Sequence, residues 1–222
     1  GLPGSLLKRC ANVPVVVSSI VKLFNSSLQH GHLPRAFKHA HICPVHKAGD
    51  RTSAKNYRPI SLLPILSKLL EKVVGSQLKE YLSKWDLLPK EQFAYRPDHS
   101  TEDALIYLTN NLLQARDQKC HTGLVFLDLS KAFDCVRHDQ LITELSELGI
   151  RDGALTWFCN YLSSRQQEVI QGMMHAAATP CTRGVPQGSV LGPLLFTLYT
   201  RKIPDRSEEH TSELQSRSDL VC

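Results

Sequence analysis

The 222-residue chain is 42% hydrophobic and 21% charged, with a formal net charge of +5; this composition buries a real core in one large domain or two small ones and excludes a disordered protein. No apolar run approaches the roughly 20 residues that span a bilayer, and no basic-then-apolar leader opens the chain, so the reading is an intracellular protein, nuclear or cytoplasmic, with no membrane partner. Seven cysteines at 10, 43, 120, 135, 159, 181 and 222 are widely spaced without a C-x-x-C pair, which argues against a disulfide framework and a zinc site and reads as reduced thiols.

Apolar residues Val16, Ile20, Leu23, Phe24 and Leu28 predict an amphipathic helix over 13–30, stopped by Gly31 and Pro34. Residues 39–47 read as a strand entering the turn Ala48-Gly49-Asp50, and 57–63 as the strand that returns, giving a basic hairpin. Six basic residues (Arg35, Lys38, Lys47, Arg51, Lys55 and Arg58) stand there against one acid, Asp50. That cluster is either a phosphate-facing surface or a solvated basic loop. Helical periodicity resumes over 64–84, a core helix with Pro64 in its first turn, and over about 99–118 behind the cap-like Ser100.

Residues 124–129 are apolar on both faces, as in a doubly covered strand, with Asp128 near the C-terminal end. Helices are expected over 139–148 and 152–162. A hairpin follows around Gly172, then a Gly/Pro-rich loop at 183–188 and a last apolar helix near 190–199. The segment from Arg206 to Cys222 is polar and aperiodic, carries two basic and four acidic residues, and resembles a translated sequencing adapter; it is set aside as non-native. With Gly1 in place of an initiator Met, both ends read as cuts in a longer protein.

A carboxylate at the end of a buried strand needs a metal, a hydrogen bond or a capping role, and Asp128 taken alone fits any of these. Five residues on, Phe133 is either a ring that excludes a ribose 2'-hydroxyl or one more core aromatic. The loop Arg183-Gly184-Val185-Pro186-Gln187-Gly188-Ser189 is either a close backbone approach to phosphate or sugar, or a plain turn before a helix.

Four segments in order resemble the reverse transcriptases of non-LTR retrotransposons, the LINE, Jockey and CR1-like elements: Asn56-Tyr-Arg-Pro-Ile-Ser-Leu62, Gln92-Phe-Ala-Tyr-Arg-Pro-Asp-His-Ser-Thr101, Phe126-Leu-Asp-Leu-Ser-Lys-Ala-Phe-Asp134 and Gly184-Val-Pro-Gln-Gly-Ser-Val-Leu-Gly-Pro-Leu-Leu-Phe196. The resemblance covers about 13–205. It implies an α/β (α+β) right-hand polymerase, with fingers over 1–120 and a partial palm over 121–205 whose antiparallel sheet packs on helices. It further implies Asp128 as catalytic metal ligand, the Leu129 carbonyl on a second metal, Phe133 as steric gate, and Gln187 with Gly188 beside the incoming nucleotide. Lys47 and Arg58 match residues that hold the triphosphate, and Arg96 lies in a matching motif with a functional or structural role. The implied cofactor is a pair of Mg2+ ions; the implied partners are an RNA template, a DNA primer and deoxynucleoside triphosphates.

The sequence departs from that pattern in one important respect. The family's second acidic motif contains paired aspartates, and no Asp-Asp dipeptide occurs here; Tyr199-Thr-Arg-Lys-Ile-Pro204 lacks the usual Asn-Asp lead-in. The expectation is therefore an RNA-directed DNA polymerase fragment, inactive as written. The alternatives are a catalytically dead nucleic-acid-binding module or a retrotransposon relic.

Overall fold

A computed structural model describes residues 2–203 apart from Leu127 and Ser130; the expectation for 206–222 falls outside the described residues. Two helices open the fold, α1 (Gly4–Arg9) and α2 (Pro14–Gln29), the second begun by a proline whose missing N–H costs nothing in a first turn. The basic hairpin forms as β1 (His39–His46) and β2 (Tyr57–Leu62), antiparallel with His41 opposite Leu62 and His46 opposite Tyr57. Then come α3 (Ile65–Lys84), α4 (Thr101–Asp117), α5 (His138–Glu147) and α6 (Asp152–Leu162). Strands β3 (Arg165–Gln171), β4 (Met174–His175) and β5 (Thr179–Cys181) precede α7 (Gly192–Thr200).

The sheet runs β2-β1-β3, with β4 and β5 both on β3. It is mixed, because β3 lies parallel to β1 and antiparallel to its other partners. This α/β architecture, a mixed sheet packed against helices, agrees with the fold class that the resemblance implies, and the strands after residue 121 pair with one another antiparallel. The core gathers Leu70 and Leu78 of α3, Leu141 and Leu145 of α5, Trp157 and Tyr161 of α6, and Leu195 and Leu198 of α7. Within it, the Trp157 indole donates to Ser27 Oγ on α2 at 3.1 Å. No helix of the described residues is long and apolar enough to cross a membrane.

One expectation fails. The described residues of 124–129 do not form a strand: Val125 and Phe126 are 84% and 82% exposed. Apolar residues on both faces are stable as a strand only when both faces are covered and the backbone is paired, and among the described residues no strand pairs with this segment. Helix α4 forms as expected, held at its N-terminus by a reciprocal capping box between Ser100 and Asp103, and it buries no residue fully.

A buried acid organises the end of the fold. Glu71 of α3 is fully buried and accepts the backbone N–H groups of Val190 and Leu191 at 2.8 and 3.2 Å, just ahead of α7. Stranding those donors costs on the order of 1–3 kcal/mol each. Glu71→Ala is therefore expected to lower unfolding stability by roughly 3 kcal/mol or more, read from the midpoint of urea denaturation; an unchanged midpoint would deny Glu71 this role.

Candidate nucleotide-binding site

The basic turn between β1 and β2 is built to display cations. Gly49 turns the chain with φ +83°, and the Thr52 backbone N–H and hydroxyl donate to the two Asp50 carboxylate oxygens at 2.9 and 2.6 Å. Those bonds, the hydroxyl's first, hold the Asp50 carboxyl below its ordinary pKa. The cluster's one acid is thus committed to its own loop. Asn56 Nδ2 donates to the Asp50 carbonyl at 2.8 Å and the Tyr57 hydroxyl to the Arg51 carbonyl at 2.9 Å, closing the turn.

Facing this turn is the loop that carries Gln187. It is fastened to β2 by the Ser61 N–H, which donates to the Gln187 carbonyl at 2.7 Å. Gly188, at φ +123°, lies so close that a Cβ there would meet the Ser61 carbonyl oxygen at 2.6 Å, which is why no side chain fits. At the other end the Val185 N–H donates to the Phe133 carbonyl at 2.9 Å and the Gly184 N–H to the Val136 carbonyl at 2.8 Å. A Cβ on Gly184 would lie 2.9 Å from Asp134 Cα. Two glycines thereby clamp three separate segments into one wall.

The result is a cleft of about 890 Å³ whose lining includes Lys47, Arg58, Leu129, Phe133 and Gln187. Gly188 does not line it; its part is the contact with β2. Arg51, Lys55 and Lys131 add positive charge around the same space. Lys38 belongs to the basic run in sequence but is buried, against the reading of that run as one phosphate-facing surface. Burial, and then the nearby Arg165, lowers its pKa. Arg96 is tied to its own loop, donating to the Pro89 carbonyl at 3.0 Å.

Asp128 is exposed and lines a neighbouring cavity of about 650 Å³ with Asp139, Glu144 and Tyr199; Leu129 and Ala132 border both spaces. The other acids of that cavity are engaged. Asp139 takes Arg137 Nη2 at 2.5 Å, and Glu144 takes Arg201 and Lys202 at 2.8 and 2.9 Å. The Arg137 hydrogen bond holds the Asp139 carboxyl below its ordinary pKa. Among the described residues Asp128 belongs to no cluster of three or more metal-ligating side chains, so the described part of this cavity does not assemble a complete two-metal centre.

Residues 45–218 match the sequence profile described as reverse transcriptase (RNA-dependent DNA polymerase). The chain belongs to the reverse transcriptase family. It is 37% identical over 194 residues to the probable RNA-directed DNA polymerase from transposon BS of Drosophila melanogaster, covering 86% of this chain and 21% of that protein. It is 35% identical over 183 residues to the RNA-directed DNA polymerase from mobile element jockey of the same species, covering 82% and 20%. To the Pol polyprotein from type-1 retrotransposable element R2 of Popillia japonica it is 29% identical over 170 residues, covering 76% and 23%. The chain spans about a fifth of the length of these relatives, which are of the non-LTR retrotransposon kind.

Several residues that hold the fold around the cleft gave no sign in the sequence. Ser61 and Glu71 sit inside a strand and a helix whose periodicity accounts for them without a special role. Arg165 is 2% exposed, its guanidinium 4.9 Å from the Tyr161 ring and donating to the Tyr161 carbonyl at 3.0 Å. Desolvation drives the Tyr161 phenol well above its ordinary pKa. Gly184 and Gly188 were signalled by the Gly/Pro-rich loop and its motif, but not their close approach to Asp134 and Ser61.

Proposed function

We propose that this chain is the fingers (1–120) and partial palm (121–205) of a retrotransposon RNA-directed DNA polymerase, and that the cleft between the basic turn and the Gln187 loop receives a deoxynucleoside triphosphate. The observation that carries the reading is the convergence of Lys47, Arg58, Phe133 and Gln187, far apart in sequence, on one cleft. Lys47 and Arg58 supply charge-assisted donors to phosphate oxygens, Gln187 an amide for phosphate or sugar, and Phe133 an apolar wall. An RNA template and DNA primer are the partners in the longer parent, where Asp128 and the Leu129 carbonyl serve as metal ligands for Mg2+. The described residues do not complete that centre, because among them Asp128 belongs to no cluster of three or more metal-ligating groups. Binding and catalysis therefore separate: the chain holds the nucleotide and does not transfer it.

The test is titration of the 222-residue chain with a fluorescent deoxynucleoside triphosphate. A hydrogen bond to a charged group is worth roughly 1.5–3 kcal/mol, so Lys47→Ala and Arg58→Ala are each expected to weaken binding about tenfold or more. Equal affinity in the double variant would overturn the assignment of the cleft.

A further inference from the structure

On the sheet face opposite the nucleotide cleft, the strand register gathers a second set of ligating side chains. β1 and β3 run parallel with His41 opposite Glu168 and His39 opposite Gln166. His39 and His41, two residues apart, point to the same face. In the antiparallel pair β3–β4, His175 stands opposite Ile170, which shares Glu168's face. Two imidazoles and one carboxylate thus gather at one place, with His175 on the far oxygen of the carboxylate. Ile42 and Val169, on the intervening positions, face the cleft instead.

The distances are those of a coordination site. One ligating atom each from His39, His41 and Glu168 lie within 4.8 Å of one another. His39 Nε2 is 3.0 Å and His41 Nδ1 3.8 Å from the same oxygen, Glu168 Oε2. Tetrahedral bonds of about 2.0–2.1 Å to zinc set ligand atoms roughly 3.3 Å apart, between those two values. His41 Nδ1 is buried and lacks a hydrogen-bond partner among the described residues, and its 3.8 Å separation from Oε2 is too long to count as one. A buried acceptor left open in this way calls for an occupant. His175 Nδ1 sits 2.6 Å from the other oxygen, Oε1, the position of a group that orients a ligating carboxylate. Its hydrogen bond, and then that of His39, holds the Glu168 carboxyl below its ordinary pKa.

We infer that His39 Nε2, His41 Nδ1 and Glu168 Oε2 form a binding site for a zinc-class divalent transition metal, with His175 fixing the carboxylate and a fourth position open to water. Two imidazoles and one carboxylate suit zinc, cobalt or nickel; magnesium demands oxygen ligands in an octahedron. The ion cross-links β1 to β3, the strands whose other face lines the cleft. The site uses no cysteine, so the cysteine spacing that argued against zinc had no bearing on it. It is independent of the proposed nucleotide site.

The test takes the 222-residue chain stripped with a chelator and titrates it with Co2+, followed by visible d–d absorption, and with Zn2+, followed by calorimetry and thermal unfolding. Expected are one tight equivalent, an absorption band typical of low-coordinate Co2+, a raised unfolding temperature, and no competition from Mg2+. His41→Ala and Glu168→Gln should each reduce affinity by at least about 10²-fold, and His175→Ala by about 10–100-fold. Circular dichroism of the metal-free variants separates lost ligation from lost folding, and Glu168→Gln keeps the side chain's shape. An absence of saturable binding, or binding undiminished in the His39→Ala/His41→Ala variant, overturns the site and leaves a hydrogen-bonded His–Glu cluster.

Discussion

Asp128→Ala in the full-length parent is expected to abolish primer extension on an RNA template with Mg2+. Magnesium is held by few protein carboxylates and keeps much of its water, so each protein oxygen counts heavily. If that ligand contributes several kcal/mol to the transition state, its loss lowers the rate by roughly 10³-fold or more. The structure makes this variant unusually clean. Asp128 is exposed and lies on a segment outside the core, and among the described residues its carboxyl enters no hydrogen bond or ion pair. Folding stability should therefore hold while extension disappears. Nucleotide binding should hold as well, since Lys47 and Arg58 line the adjoining cleft and not the cavity of Asp128. Quantifying extended primer against thermal stability for the same preparation checks all three statements, and undiminished extension would remove Asp128 from the chemistry.

What could be read from the sequence depended on whether the controlling interaction is local. Helices α2, α3 and α6 and the β1–β2 hairpin came out within a residue or two of their expected bounds, because apolar periodicity and turn residues decide them. The described residues of 124–129 went the other way. Their apolar character is real, but a strand also needs a partner, and partner supply is a property of distant sequence. The candidate site divides along the same line. Asp128, Phe133 and Gln187 stood out through motif context, whereas Glu71 became visible only once α3 lay against the N–H groups at 190 and 191. Lys38 is the sharpest case. Charge counting placed it with Lys47 and Arg58, but the alternation of the strand it precedes and the packing of Arg165 put it inside.

Phe133→Val in the full-length parent should relax the choice of sugar, raising ribonucleotide incorporation relative to deoxyribonucleotide by on the order of 10²-fold, the scale on which an apolar wall rejects one added hydroxyl. The ring does two jobs in the structure. It borders the cleft shared with Gln187, Lys47 and Arg58, and it packs on Phe196 with centroids 5.0 Å apart at the margin of the core. Its position is also rigid, because the Phe133 carbonyl accepts the Val185 N–H and the left-handed Lys131 opens the turn beneath it. A wall discriminates only if it cannot retreat, and these contacts leave little room to do so. Truncation will cost stability whichever job matters more, on the order of 1–2 kcal/mol for the apolar surface lost, so unfolding data alone decide nothing. The ratio of kcat/KM for the two sugars does decide, because packing against Phe196 affects both substrates equally and a gate affects only one. An unchanged ratio would reduce Phe133 to a core residue that happens to border the cleft.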